Sequence, residues 1–376
     1  MNNLEYLPFE FRGDAKEFFK IWIVNIFLSV ITLGIYSAWA KVRTNRYIYR
    51  NTYLNGSNFE FNANPKRILY GRLIVFSFYA LFLFSTDVIN NPTLASMILI
   101  LFLLFLPWLI RQAISFRLKS ASYRNIHFKY KGKAKDFYKI AFFYLIVFLV
   151  PLFLFGMLIS KYQKDSILAL IALLLIVVFY ITAFPILYKN YKSIVINNSY
   201  YGKSQFNFNA QKKDAIKLFF KIGLILIVIL IIVSSLLVAF GFIFKAIGTA
   251  KSNILVQSLI SIITAIFYLA TIAFFKGLYD GYISNFIRNN TTLNKCKFKS
   301  DIKPFRLGFI SFINILATLF TLGLAYPWAK MRYLKYKANH TYFKCCDYES
   351  FISDGKEQAN TIGEETMDFF DIDIGI

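Results

Sequence analysis

Few residues in this 376-residue chain have the type and spacing to do chemistry. The two histidines, His127 and His340, stand apart from any cysteine or acid at metal-ligand spacing, so neither reads as part of a metal site. There is no Gly-x-x-x-x-Gly-Lys-Ser/Thr loop to cradle a phosphate, and nothing suggests a Ser-His-Asp or Cys-His arrangement. We therefore expect no catalytic residue, no metal and no cofactor, and the chain does not read as an enzyme. The three cysteines, Cys296, Cys345 and Cys346, lie in basic linkers. Their odd number reads as reduced cytosolic thiols rather than a disulfide framework.

What remains is interfacial chemistry, and it sits in a stretch written twice. Thr32-Leu33-Gly34-Ile35-Tyr36-Ser37-Ala38-Trp39-Ala40-Lys41-Val42-Arg43 returns as Thr321-Leu322-Gly323-Leu324-Ala325-Tyr326-Pro327-Trp328-Ala329-Lys330-Met331-Arg332. At the same offset Asn25 meets Asn314, Tyr47 meets Tyr336, and Thr52-Tyr53 meets Thr341-Tyr342, so the chain contains an internal repeat. Tryptophan favours the headgroup level of a bilayer, and cations just beyond it meet anionic lipid. On a helix the Trp and Arg of Trp-Ala-Lys-x-Arg are i and i+4 and share a face. Trp39, Lys41, Arg43, Trp328, Lys330 and Arg332 are therefore candidate lipid anchors. Asn25 and Asn314 form a matched polar pair inside apolar segments, where an amide needs partners. They could line a path for a solute, or they could bond carbonyls at a helix break or across the pseudo-symmetric interface.

The elements that must position these residues are membrane elements. The chain is 57% hydrophobic and 19% aromatic, and its mean hydropathy is +0.51. Leu94 to Ile110, Ile140 to Ser160, Ser166 to Tyr188, Ile222 to Phe244 and Ile254 to Phe275 carry no charge. Each is about long enough to cross a hydrocarbon core of roughly 30 Å. Their mid-depths hold no ionisable residue, and Asp87, Asp165 and Asp280 sit at edges, which argues against a proton-coupled pump. The net charge is +23. Because the apolar runs are membrane spans, that charge implies anionic phospholipid rather than nucleic acid as a partner.

In chain order, basic ribbons alternate with apolar hairpins. The ribbon Asn51 to Phe61 has Asn55-Gly56 between β-prone stretches, a strong signal for a type I′ turn. Related ribbons occur at Asn290 to Phe298 and Asn198 to Ala210, with weaker copies at Ser122 to Tyr130 and Thr341 to Phe351. Phe9-Glu10-Phe11 copies Phe128-Lys129-Tyr130 and reads as a short strand. The turns between paired spans, Thr86 to Thr93, Lys161 to Asp165 and Lys245 to Asn253, hold only Lys161, Lys164, Lys245 and Lys251 of the basic residues. The positive-inside rule then places the ribbons in the cytoplasm. Phe18 to Ala38 and Phe305 to Pro327 have the length of one span each. Two arrangements follow: six full spans flanked by two short hairpins that enter and return, or eight plain spans. The expected architecture is an all-α polytopic membrane protein of repeated helical hairpins, with small cytoplasmic β-hairpins beneath. The membrane domain runs over 1–346, with hairpins at about 18–47, 68–118, 137–193, 216–287 and 305–336. Residues 347–376 read as an acidic, disordered tail. Met1 to Phe9 shows no cleavable signal peptide.

The signature stretch, its ribbon Asn51 to Phe61 and the Pro65-Lys66 to Gly71-Arg72 continuation resemble the YjgN-like family of bacterial inner-membrane proteins, over about Phe9 to Phe351. Ala38 stands where that family usually has proline, which the second copy keeps as Pro327. The resemblance implies an inner-membrane location and supplies no catalytic residues, since the family is a domain of unknown function. Two readings of function follow. One is a non-transporting envelope protein that binds anionic lipid or a partner through basic cytoplasmic ribbons. The other is a passive transporter or channel for a small polar or amphipathic solute. A greasy, closed centre would favour the first, and a continuous polar-lined cavity the second.

Overall fold

The computed structural model describes residues 6–161, 166–246 and 254–345. Five helical hairpins alternate with pairs of short strands. The order is β1 (Tyr6–Phe11), α1 (Ala15–Ile31), α2 (Ser37–Arg50), β2 (Thr52–Leu54), β3 (Ser57–Phe61), α3 (Pro65–Leu83) and α4 (Pro92–Lys119). There follow β4 (Ala121–Tyr123), β5 (Ile126–Tyr130), α5 (Ala134–Lys161), α6 (Ser166–Asn197), β6 (Ser199–Tyr201), β7 (Ser204–Phe208), α7 (Lys212–Ala246) and α8 (Ile254–Asn289). The described residues end with β8 (Thr291–Leu293), β9 (Cys296–Ser300), α9 (Pro304–Phe320), α10 (Tyr326–Asn339) and β10 (Thr341–Lys344).

The ten strands form a single closed antiparallel barrel. This corrects the all-α expectation with separate small β-hairpins. Each ribbon bonds not only within itself but to the next ribbon: β3 pairs with β4, β5 with β6, β7 with β8, and β9 with β10. The N-terminal β1 closes the ring, pairing with β2 on one side and β10 on the other. An isolated two-stranded ribbon is at best marginally stable in water, and its free edges invite unwanted pairing. Closure removes both problems. The fifth ribbon is thus split between the two ends of the chain.

The repeated residues explain the local structure. Asn55 and Gly56 both have positive φ (47° and 74°), as a type I′ turn requires, and Arg124-Asn125 does the same (49° and 64°). Where four of the five second helices run into their strands, side chains cap the last carbonyls. Thr52, Ser199, Thr291 and Thr341 donate their hydroxyls to Ile48, Val195, Ile287 and Lys337 carbonyls four residues back. Asn51, Asn198 and Asn290 amides do the same one residue earlier. The recurring Asn-Thr/Ser is therefore a helix stop that hands the chain to a strand. His127 and His340 also face helix-end carbonyls, of Lys119 and Tyr336.

Side chains from alternate strand positions fill the barrel. Leu54, Tyr123, Tyr201, Leu293 and Phe343 are buried inside it. Phe9, Phe59, Phe128, Phe206 and Phe298, one from each ribbon, pack against them as a second layer. Neighbouring rings meet at 4.6 Å (Phe59 and Tyr123), 4.9 Å (Phe298 and Phe343) and 6.2 Å (Phe206 and Phe298). Burying each such side chain is worth roughly 1.5–3 kcal/mol. The barrel axis is plugged by aromatic rings.

Six helical segments among the described residues are long and apolar enough to cross a membrane: Pro65–Val88, Pro92–Lys119, Ala134–Met157, Ile171–Asn197, Lys212–Leu236 and Ser261–Asn289. They bury little of themselves against protein, and their exposed Leu, Ile and Phe are solvated by lipid. The first and last hairpins are built from shorter helices. α1 and α9 have 17 residues each, and each is preceded by one barrel strand while its partner helix leads into another. Their tips are the two Thr-Leu-Gly copies. Leu33 and Leu322 adopt φ of 48° and 51°, and Gly34 and Gly323 φ of 89° and 96°. The Thr32 hydroxyl donates to the Leu28 carbonyl at 2.7 Å and accepts from the Tyr36 amide at 2.9 Å. Thr321 repeats both bonds with Ala317 and Ala325. Leu33 and Leu322 are 94% and 95% exposed, so both tips project away from the rest of the protein.

All ten strands belong to one barrel, so the basic ribbons share one side of the bilayer, and the positive-inside rule assigns that side to the cytoplasm. Cys296 of β9 and Cys345, just after β10, lie side by side with Cα atoms 4.3 Å apart. The acidic segment 347–376 lies outside the described residues.

Candidate functional site

The two signature copies, far apart in sequence, face one groove where α10 packs against α1, the partner of α2. Between them runs a groove of about 720 Å³. Lys41 of α2, Lys330 of α10 and Arg72 of α3 all line it, with Trp22, Ile26 and Val30 supplying an apolar wall. Arg72 donates from Nη1 to the Ser37 hydroxyl. Lys330 lies 5.4 Å from the Phe18 ring centroid and 5.7 Å from that of Tyr326. Of the six candidate anchors, then, the groove gathers Lys41 and Lys330. Arg43 is exposed outside it, and Trp39 stacks on Tyr36 at 6.3 Å. Trp328 and Arg332 realise the i,i+4 pairing, with the guanidinium 5.2 Å from the indole centroid. Sequence reasoning missed Arg72 as a site residue, because its place on α3 gave no hint that it would reach the first turn of α2.

Asn25 and Asn314 act within their own hairpins. The Asn314 amide donates to the Ala329 carbonyl at 2.9 Å, tying α9 to α10. The Asn25 amide reaches the matched Ala40 carbonyl at 3.4 Å and Thr44 Oγ1 at 3.4 Å. Tyr47 and Tyr336 add matching ties, their hydroxyls accepting from the Asp14 and Lys303 amides. Burial pushes the Tyr47 phenol up to about 12. Since a good hydrogen bond contributes about 1 kcal/mol, Asn314→Ala is expected to lower the thermal midpoint in detergent, and Asn25→Ala, with its longer bonds, to lower it less. Equal effects would show that the amides do something other than clasp their hairpins.

A second cavity, of about 590 Å³, lies on the barrel axis where the helices meet the strands. Its floor is the full ring of Phe9, Phe59, Phe128, Phe206 and Phe298. Its walls are the last turns of α2, α4, α6, α8 and α10, aliphatic except for Tyr49, Arg288 and Lys337. Arg288 Nη1 is buried with no hydrogen-bond partner. Nearby, the Tyr333 hydroxyl donates to Asp280 at 2.7 Å. Burial, then that bond and the Asp280 charge, hold the Tyr333 phenol well above its ordinary range. Burial and the charge of Arg288 depress Lys337, while Asp280 opposes this. Nothing in the sequence singled out this chamber, because its lining is gathered from all five repeats. No group of three or more His, Cys, Asp or Glu among the described residues could hold a metal.

Comparison with known proteins agrees with this membrane architecture. The chain is 24% identical over 348 residues to the inner membrane protein YjgN of Salmonella typhimurium, covering 88% of this chain and 87% of the relative. It is 23% identical over 355 residues to the YjgN protein of Escherichia coli O157:H7, covering 89% and 87%. No solved structure matches the chain. The family described as bacterial protein of unknown function (DUF898) matches residues 6–369. With six membrane-length helices and relatives in the inner membrane, the chain is a multi-pass inner-membrane protein and belongs to the DUF898 family.

Proposed function

We propose that the protein is a non-catalytic, non-transporting binder of anionic phospholipid at the cytoplasmic leaflet. The observation that carries this reading is the groove in which Lys41 and Lys330, matched residues of the two signature copies, face one space with Arg72. The groove begins beside the deep hairpin tip at Val30 and rises to these cations, so an acyl chain can lie against α1 while the phosphate meets charge. Outside the barrel, Lys and Arg alternate with Tyr. Arg12 sits 4.3 Å from the Tyr53 ring centroid, and Lys299 and Lys344 sit 4.8 Å and 4.6 Å from that of Tyr6. This basic skirt adds attraction for an anionic surface. The aromatic plug of the barrel speaks against a solute path along the axis.

A cation near an anionic surface is worth roughly 1 kcal/mol. Replacing three of them (Lys41→Gln, Arg72→Gln, Lys330→Gln) should weaken phosphatidylglycerol binding about a hundredfold on the same scale. Native mass spectrometry of the detergent-solubilised protein, titrated with phosphatidylglycerol and with phosphatidylcholine, reads this directly. A preference for phosphatidylglycerol that survives the triple substitution overturns the assignment of the groove.

A further inference from the structure

We propose that the axial chamber is a second and separate binding site, for an amphiphile with one oxyanion head, held between Arg288 and Lys337 with its apolar body on the ring of five phenylalanines. The volume suits it: about 590 Å³ falls within the roughly 300–1,000 Å³ of ordinary small-ligand pockets. The floor suits it as well, being continuous apolar surface.

The charge is the deciding feature. Arg288 lies in the last turn of α8 and Lys337 in the last turn of α10, and both line the same cavity. The nearby carboxylate, Asp280, already accepts a bond from Tyr333. Arg288 Nη1 is left buried without a partner, and a buried donor on a charged group is costly unless something accepts from it. The five helix C-termini around the chamber carry partial negative charge. Four of them, however, spend a carbonyl on the strand hydroxyls of Thr52, Ser199, Thr291 and Thr341, and no carbonyl reaches Nη1.

The repeat itself shows that the cation is not needed to join helix to barrel. Arg288 stands three residues before the first strand residue Thr291. The same place in the other four units holds Tyr49, Leu118, Ile196 and Ala338, and all four line the chamber. A junction that tolerates Leu, Ile, Ala and Tyr has no structural use for an arginine. The charge has been set on one side of an otherwise apolar ring, as a site for an amphiphile requires.

The test uses the full chain in a neutral maltoside detergent, with dodecyl phosphate, dodecanoate and dodecanol as probes in calorimetric titration. The expected result is at least tenfold tighter binding of the two anions than of dodecanol. Arg288→Leu, which copies Leu118, should abolish that preference, whereas the groove triple variant Lys41→Gln, Arg72→Gln, Lys330→Gln should keep it. A diazirine-bearing alkyl phosphate should photolabel peptides that carry Phe206, Phe298 or the ends of α8 and α10 in the unsubstituted protein. The proposal is overturned if dodecanol binds as tightly as the anions, if Arg288→Leu retains the preference, or if label falls only on outward faces of the spanning helices. Should Arg288→Leu fail to fold, the labelled positions in the unsubstituted protein decide. Loss of phosphatidylglycerol binding in the groove variant with dodecyl phosphate binding intact would show two independent sites.

Discussion

Phe343→Asp should leave almost no folded protein, whereas Tyr342→Asp, one residue earlier on the same strand, should be tolerated. Phe343 is 2% exposed, and its ring lies 4.9 Å from that of Phe298 inside the barrel. Truncating a buried phenylalanine to alanine typically costs about 3–5 kcal/mol. A carboxylate there adds the penalty of an unpaired charge among Leu54, Tyr123, Tyr201 and Leu293. Tyr342 points the other way, since successive strand residues face opposite sides. The stake is larger than one side chain. β10 is the strand that joins β9 to β1, and its loss opens the ring into a sheet with two free edges. Size-exclusion profiles and melting curves in detergent measure the contrast. Equal tolerance at the two positions would mean that the strand does not alternate into a packed interior.

The second large effect is expected at the contact between α8 and α9, the most extensive helix pair among the described residues. A Cβ added to Gly277 would lie 2.6 Å from the Leu307 carbonyl oxygen, and one added to Gly308 would lie 3.0 Å from that of Phe274. Each contact is to backbone, which cannot move aside without parting the helices. In lipid, helices associate through such close small-residue contacts rather than by hiding apolar surface. Gly277→Ala should therefore cost roughly 1–3 kcal/mol, and Gly277→Val more. Gly156, on α5, is the control: an added Cβ there meets nothing within 4 Å. Gly156→Ala should be neutral, or stabilising by up to about 1 kcal/mol through helix propensity. Thermal midpoints with Gly277→Ala above Gly156→Ala would contradict the packing described.

Much of this architecture can be read from local chemistry. Uncharged runs mark the spanning helices, Asn55-Gly56 marks a ribbon turn, and the Thr-Leu-Gly copies mark the breaks at the tips of two short hairpins. These features depend on neighbours a few residues apart. The barrel does not. β3 finds β4 only after a whole helical hairpin, and β1 finds β10 across nearly the entire chain. The alternation Phe59-Glu60-Phe61 says that one face is buried without saying against what. Closure was therefore invisible, and with it the axial chamber. The groove was half visible. The Trp-Ala-Lys-x-Arg copies mark Lys41 and Lys330 as equivalent, but only the ring order brings hairpins one and five together. Arg72 comes from a third hairpin, and its role rests on that same ring order.

Closure of the ring requires the first and last strands, β1 and β10, to lie side by side. Pro8 and Tyr342 are register partners on β1 and β10. On a background lacking Cys296, Cys345 and Cys346, cysteines at these two positions should form a disulfide under mild oxidation. With a protease site placed between α5 and α6, the cleaved halves should then migrate together until reduced. Halves that separate on a non-reducing gel after full oxidation would mean that the ends are apart and that the ten strands do not close.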